Sequence, residues 1–180
     1  MENIKLENLR YPIGKFNAPE VYSTEYLTSK IAEIASFPER LKKEVLHLTV
    51  EQLETHYRPD GWTIRQVIHH CADSHMNCFI RIKWALTEDN PTIKFYHEDR
   101  WAELQDNLTM PIQPTLSFLE GLHFRLAYLM TSLSEVGLEK TFIHPENNKK
   151  FKIKEIIGIY AWHGNHHLAH ITALKKQTAW

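Results

Sequence analysis

Of the twelve histidines in this chain, seven fall in two short stretches, and imidazole repeated at helical spacing is a residue pattern that binds metal ions. His69, His70 and His75 stand in "IRQVIHHCADSHMN", and His163, His166, His167 and His170 stand in "AWHGNHHLAHI". On an α-helix, residues four apart lie one turn above each other, so two imidazoles at that spacing can share a cation at about 2.0–2.1 Å each. The second stretch offers two such pairs, His163 with His167 and His166 with His170. Helical phase distinguishes them: Ile153, Ile156, Ile157, Tyr160, Gly164, Ile171 and Leu174 make one apolar stripe at about 100° per residue. His167 falls inside that stripe and His163 at its edge, whereas His166 points away and His170 is intermediate. The inward pair is therefore His163 and His167. Gly164 shares the stripe, where a missing side chain lets a neighbouring helix or a ligand approach.

Two ligands do not make a tight site, so a third must come from another element. The first stretch supplies candidates, and periodicity does not choose among them. His75 is the most inward, His70 lies about 120° from the apolar centre, and His69 is on the opposite flank. A carboxylate to act as base is harder to find. There is no HExxH motif, and neither Asp73 nor Glu155 turns toward the expected metal. Ser74, Asn77 and Arg81 follow His70 along one flank, where they can line an entrance or bind a substrate anion.

The elements that would position these groups read as helices. Ser23 or Thr24 caps a helix that restarts at "SFPERLKKEVLHL", giving one long first helix with a break or kink near Pro38. Thr49 and Gln52 have capping-box spacing and predict a helical turn. Thr63 and Gln66 repeat that spacing at the start of a second long helix, in which Ile64, Val67, Ile68, Cys71, Cys78, Phe79 and Ile82 share one side. From Asp89 to Pro114 no period is sustained, which predicts a long connection with a helical turn around "EDRWAEL". Leucines from Leu116 to Leu133 at three- and four-residue steps predict a third long helix. "TFIHPENNKKFKI" suggests a small hairpin around an Asn-Asn turn. A last helix runs from about Ile153 to Lys176. The expected fold is an all-α four-helix bundle with a long crossover between the second and third long helices, formed by residues 1–180 as a single domain.

Composition narrows the classes of function. The formal net charge is −1 and no dense basic block tracks phosphates, so nucleic acid is not an expected partner. No run approaches the ~18 apolar residues of a membrane span, and the first residues lack the apolar centre of a signal peptide, so a cytoplasmic protein is expected. Cys71 and Cys78 are about two turns apart on one helix, roughly 10 Å, too far for a disulfide. They read as small buried apolar residues.

Taken together, "GWTIRQVIHHCADSHMN", "YAWHGNHHLAHI" and the early "YPIGKF" resemble the YfiT type of the DinB-like superfamily, whose members are regarded as metal-dependent hydrolases and are related to bacterial thiol S-transferases. The resemblance runs along most of the chain. It implies a four-helix bundle, usually dimeric, with one divalent metal held by three histidines. The family places a ligand eight residues after a tryptophan, and counting from Trp62 that position is His70. The family's C-terminal pair, spaced by four, matches His163 and His167. The metal ligands implied are His70, His163 and His167, with His166 and His170 supporting or rimming the site.

Three neutral ligands leave a coordination position open, as catalytic sites do, and a metal there can acidify water to a pKa of about 7. Imidazole suits zinc, nickel, iron and copper, with zinc or nickel the first expectation. The first function expected is a divalent-metal-dependent hydrolase acting on a small-molecule substrate through a metal-activated water. The second is a metal-dependent thiol S-transferase using a low-molecular-weight thiol such as bacillithiol, a chemistry that needs no carboxylate base. The third is a non-catalytic, stress-related binding module. Trp62, Trp84, Trp101, Tyr128, Tyr160 and Trp162 are available to shape a pocket, although aromatics of this size more often fill a core.

Overall fold

The starts of two of the four long helices are marked by side-chain caps. The computed structural model describes residues 2–146 and 148–180, with side chains from Leu6 onward. A helix α1 (Glu2–Arg10) precedes a coil, after which Ser23 caps α2 (Thr24–Val45) by accepting the Tyr26 amide. A one-turn helix α3 (Val50–Leu53) and the long α4 (Ile64–Thr87) both open on complete capping boxes, Thr49 with Gln52 and Thr63 with Gln66. The connection that follows contains two short helices, α5 (Glu98–Trp101) and α6 (Gln105–Thr109). α7 (Ile112–Thr131) starts before Pro114, which the first helical turn accommodates because an amide there has no intrahelical acceptor. A short α8 (Glu135–Glu139) leads to an antiparallel hairpin, β1 (Thr141–His144) with β2 (Lys149–Lys152), in the register Thr141 to Lys152. Asn147, half of the expected Asn-Asn turn, lies outside the described residues; Asn148 takes a left-handed φ of 51°. The chain closes with α9 (Ile153–Thr178).

The expected break at Pro38 does not occur: α2 runs through it without interruption. A proline inside a helix removes one amide and crowds the preceding turn, yet burial of Ile34, Phe37, Leu41 and Val45 on the inner face holds the helix together, at about 1.5–3 kcal/mol for each fully buried side chain. α2 packs against α7 and α9, and α4 packs against the same two helices, so the four form a ring in which α2 and α4 are diagonal. The expected four-helix bundle with its long crossover is what forms.

The core is divided. One apolar cluster includes Leu27, Ile34, Cys78, Ile82, Leu126 and Ile157, and the other includes Phe37, Leu41, Ile68, Cys71, Leu119 and Ile171. On three of the long helices the boundary falls at a histidine: His75 lies between Cys71 and Cys78, His123 between Leu119 and Leu126, and His163 with His167 between Ala161 and Ile171; on α2 it falls between Ile34 and Phe37, just before Pro38. Both cysteines are free and fully buried, and burial pushes their thiols up, as expected of inert core residues. Gly164 proves to be a packing position: a Cβ there would meet the Phe37 ring at 3.0 Å. Among the described residues no helix is long and apolar enough to cross a membrane.

Candidate metal centre

α4 and α9 face each other with their histidines at the same height, because each carries its apolar residues above and below them. His70 and His163 bring their Nε2 atoms to 3.3 Å of each other. The His167 ring stands 4.5 Å from that of His163 and 4.7 Å from that of His70, centre to centre. One nitrogen from each of the three lies within 4.8 Å of the others. The structure thus brings together the three residues singled out from the sequence. Burial lowers all three basicities, holding His70 down at about 3 and His163 and His167 well below the ordinary imidazole value, with neighbouring imidazoles adding to the effect. Neutral imidazoles with nitrogens this close together form a donor set that fits a divalent transition metal.

The trio opens onto a cavity of about 330 Å³ whose wall includes Trp62, Ser74, Arg81, Tyr96, Tyr160 and Trp162. Of the expected aromatics, Trp62, Tyr160 and Trp162 belong to this wall. Tyr128 lies elsewhere, exposed on α7. Ser74 donates to the Tyr160 hydroxyl at 3.5 Å and is equally far from His163 Nε2. Arg81 is buried over the Tyr96 ring, and its Nε has no hydrogen-bond partner among the described residues. Asn77 is not part of the wall; it donates to the Asp73 carbonyl instead. Asp73 faces the opposite side of α4, where it accepts from Asn107, and Glu155 accepts the Lys152 amide as part of the α9 cap.

The carboxylates that sequence reasoning did not find come from the crossover and the hairpin. Glu98, at the start of α5, and Glu146, in the turn after β1, both line the mouth of the cavity. Burial raises the Glu98 carboxyl above its ordinary value, and the Glu146 charge raises it further. No local signal marks these residues, since they reach the cavity only through the tertiary path of the connections.

His69 is not at the site: its Nδ1 meets Thr115 Oγ1 at 2.8 Å and its Nε2 the Met110 carbonyl at 3.2 Å, tying α4 to the start of α7. His166, read as outward by helical phase, is nevertheless buried. The N-terminal segment crosses that face of α9, laying Tyr11 beside His166 and accepting His170 Nε2–H on the Arg10 carbonyl at 3.0 Å. Gly14, at φ 74°, accepts Trp162 Nε1–H, and the indole stacks on His166. His166, His167 and His170 make a second group of three that shares His167. His170, with Nε2 committed to Arg10, is not part of the cavity wall.

Comparison with known proteins bears on the family and the fold. A model of the DinB superfamily matches residues 34–171. A protein of Bacillus cereus (strain 03BB102) carrying the name "Putative metal-dependent hydrolase" is 50% identical over 175 residues, 97% of this chain and 100% of the relative. One of the same name from Oceanobacillus iheyensis is 51% identical over 173 residues, 96% of this chain and 99% of its own. Among solved structures, YfiT from Bacillus subtilis, described as "a probable metal-dependent hydrolase with an unusual four-helix bundle topology", superposes with a TM-score of 0.94 at 41% identity, covering 96% of this chain and 99% of that one.

Proposed function

Since the chain belongs to the DinB superfamily, we propose that it is a divalent-metal-dependent hydrolase in which His70, His163 and His167 hold one metal ion, zinc or nickel. The observation that carries this is the convergence of three neutral imidazoles from two facing helices at the base of a cavity lined by polar groups. When bound there, the ion supplies a Lewis acid and lowers the pKa of a coordinated water toward about 7. Arg81, buried and with Nε unpartnered, binds a carbonyl or anionic oxygen of the substrate. Glu98 takes up and returns the proton at the cavity mouth, its raised basicity bringing it nearer to neutral pH than an ordinary carboxylate. Trp62, Tyr160 and Trp162 supply apolar walls that hold a small substrate and limit water.

Thiol transfer draws its appeal from the lack of a carboxylate beside the histidines in the sequence, and the presence of Glu98 and Glu146 in the same cavity wall favours hydrolysis over it. A dimer of this chain is also proposed. An apolar groove of about 810 Å³ between α2 and α7, lined by Leu27, Ile31, Ala35, Phe124, Tyr128 and Met130, supports it. Metal-free protein reloaded with zinc or nickel is expected to hydrolyse activated esters or amides without added thiol, at least about 100-fold faster than the metal-free form. Turnover that requires a low-molecular-weight thiol and yields a thioether would overturn hydrolysis in favour of transfer.

A further inference from the structure

A neutral imidazole carries one proton, and the nitrogen that holds it cannot bind a metal. His163 therefore needs its proton on Nδ1 if Nε2, the atom facing His70, is to be a ligand. We propose that a chain beginning at the Ile34 carbonyl and passing through His123 and His75 holds His163 in that tautomer, making His75, His123 and Pro38 positioning residues for the metal centre. Only the last link of this chain rests on the metal reading above.

The sense of the chain is set at its far end. In an α-helix the amide of residue 38 would donate to the Ile34 carbonyl, but proline has no amide proton, so that carbonyl is left without its helical donor. His123 Nδ1 approaches it at 2.6 Å. A carbonyl only accepts, so His123 must carry its proton on Nδ1 and present Nε2 as a lone pair. That lone pair lies 2.7 Å from His75 Nδ1, which must then be the donor. His75 Nε2, now an acceptor, lies 3.0 Å from His163 Nδ1. His163 must place its single proton there, which leaves Nε2 bare and directed at His70 Nε2. Each neutral ring donates once and accepts once, and no other assignment satisfies all three contacts.

The path visits all four long helices, from α2 through α7 and α4 to α9, and coincides with the polar layer that divides the core. Water cannot substitute for any link at its centre, since His123 is 0% and His75 1% exposed. Phe37 covers both, with its ring 5.3 Å from that of His75 and 5.2 Å from that of His123, and Tyr160 meets His75 edge-on. A proline in mid-helix, two core histidines and a metal ligand thus become one device. Its output is the orientation and ligand strength of His163, as expected of the outer hydrogen-bond partners of metal-binding imidazoles.

Long-range 1H–15N correlation spectra of the 15N-labelled metal-free protein read each histidine tautomer directly. His123, His75 and His163 are expected to be protonated on Nδ1 with Nε2 bare. His123→Leu removes the acceptor for His75 and is expected to give His163 a mixture of tautomers and about 10–100-fold weaker zinc binding in a chelator competition. His123→Gln, whose amide oxygen reaches the place of Nε2, is expected to restore affinity to within about threefold of the native value. Pro38→Ala, which returns an amide to the Ile34 carbonyl, is expected to mix the His123 tautomers without unfolding the protein. A His163 protonated on Nε2 in the native chain overturns the proposal, as does a folded His123→Leu variant with native tautomers and native zinc affinity. If His123→Leu does not fold, the native spectrum and Pro38→Ala decide. Native tautomers as expected in a protein that binds no zinc would remove the metal reading alone and leave the chain standing.

Discussion

Metal-free protein is expected to lose most of its stability between pH 7 and pH 5. Burial holds His70 at about 3 and His123, His166 and His170 at about 4, against an ordinary value of 6.5. These are depressed values for a base, so the folded state keeps the rings neutral while the unfolded chain takes up protons as pH falls below 6.5. Stability is therefore fully present above 6.5 and falls with pH until the folded values near 4 are reached. A ring kept neutral by burial costs at most about 1.4 kcal/mol per pH unit. Because charges on His70, His166 and His170 repel one another and His166 is less deeply buried, the four together remove a few kcal/mol per unit, a large share of the ~5–15 kcal/mol of a typical domain. Urea unfolding followed by circular dichroism at pH 7.5, 6.5 and 5.5 measures this slope. A ligand that binds only the folded state, such as zinc, is expected to move the transition to lower pH. Unchanged stability from pH 7 to 5 in the metal-free protein would show that the histidine layer is charged or open to solvent.

Replacing Glu98 by glutamine is expected to lower kcat of the metal-loaded protein by about 10²–10⁴ while its metal content stays native. The substitution keeps the shape of the side chain and removes only its ability to exchange a proton. A base must be ionised, so the native rate should fall as pH drops through the Glu98 pKa, which lies above the ordinary 4.5, and this acidic limb should vanish in Glu98→Gln. A loss of less than about threefold with the limb intact would move the base elsewhere, with Glu146 across the cavity mouth the next residue to test.

Much of the bundle was legible because its signals are local. The capping boxes at Thr49 and Thr63 and the leucine spacing on α7 act within a few residues, and each proved correct. His163 and His167 were legible for the same reason, since helical phase alone sets them on the inner stripe of α9. His70 was not, and only the family resemblance selected it. α4 touches both α7 and α9, so it has two inward faces, and a single wheel centre favours His75 between them. His75 is indeed central, but it joins the hydrogen-bond chain and not the group of three.

What escaped the sequence depends on contacts between distant residues. Pro38 predicted a break that does not occur, whereas its consequence is a freed carbonyl that meets His123, 89 residues away. His123 itself carries no spacing signal, being one histidine among leucines. His166 was read as outward because nothing in α9 announces that the N-terminal segment will cover it. Glu98 and Glu146 lie in connections, where position follows from the path of the chain and not from a period.

The claim on which the rest depends is that His70, His163 and His167 hold a metal. Protein loaded with zinc, dialysed, and measured by elemental analysis tests it, with His70→Ala and the His163→Ala, His167→Ala double variant alongside and circular dichroism to verify folding. About one zinc per native chain is expected, with near-complete loss in the double variant and strong loss in His70→Ala. A folded double variant that retains a full equivalent of zinc would contradict the assignment.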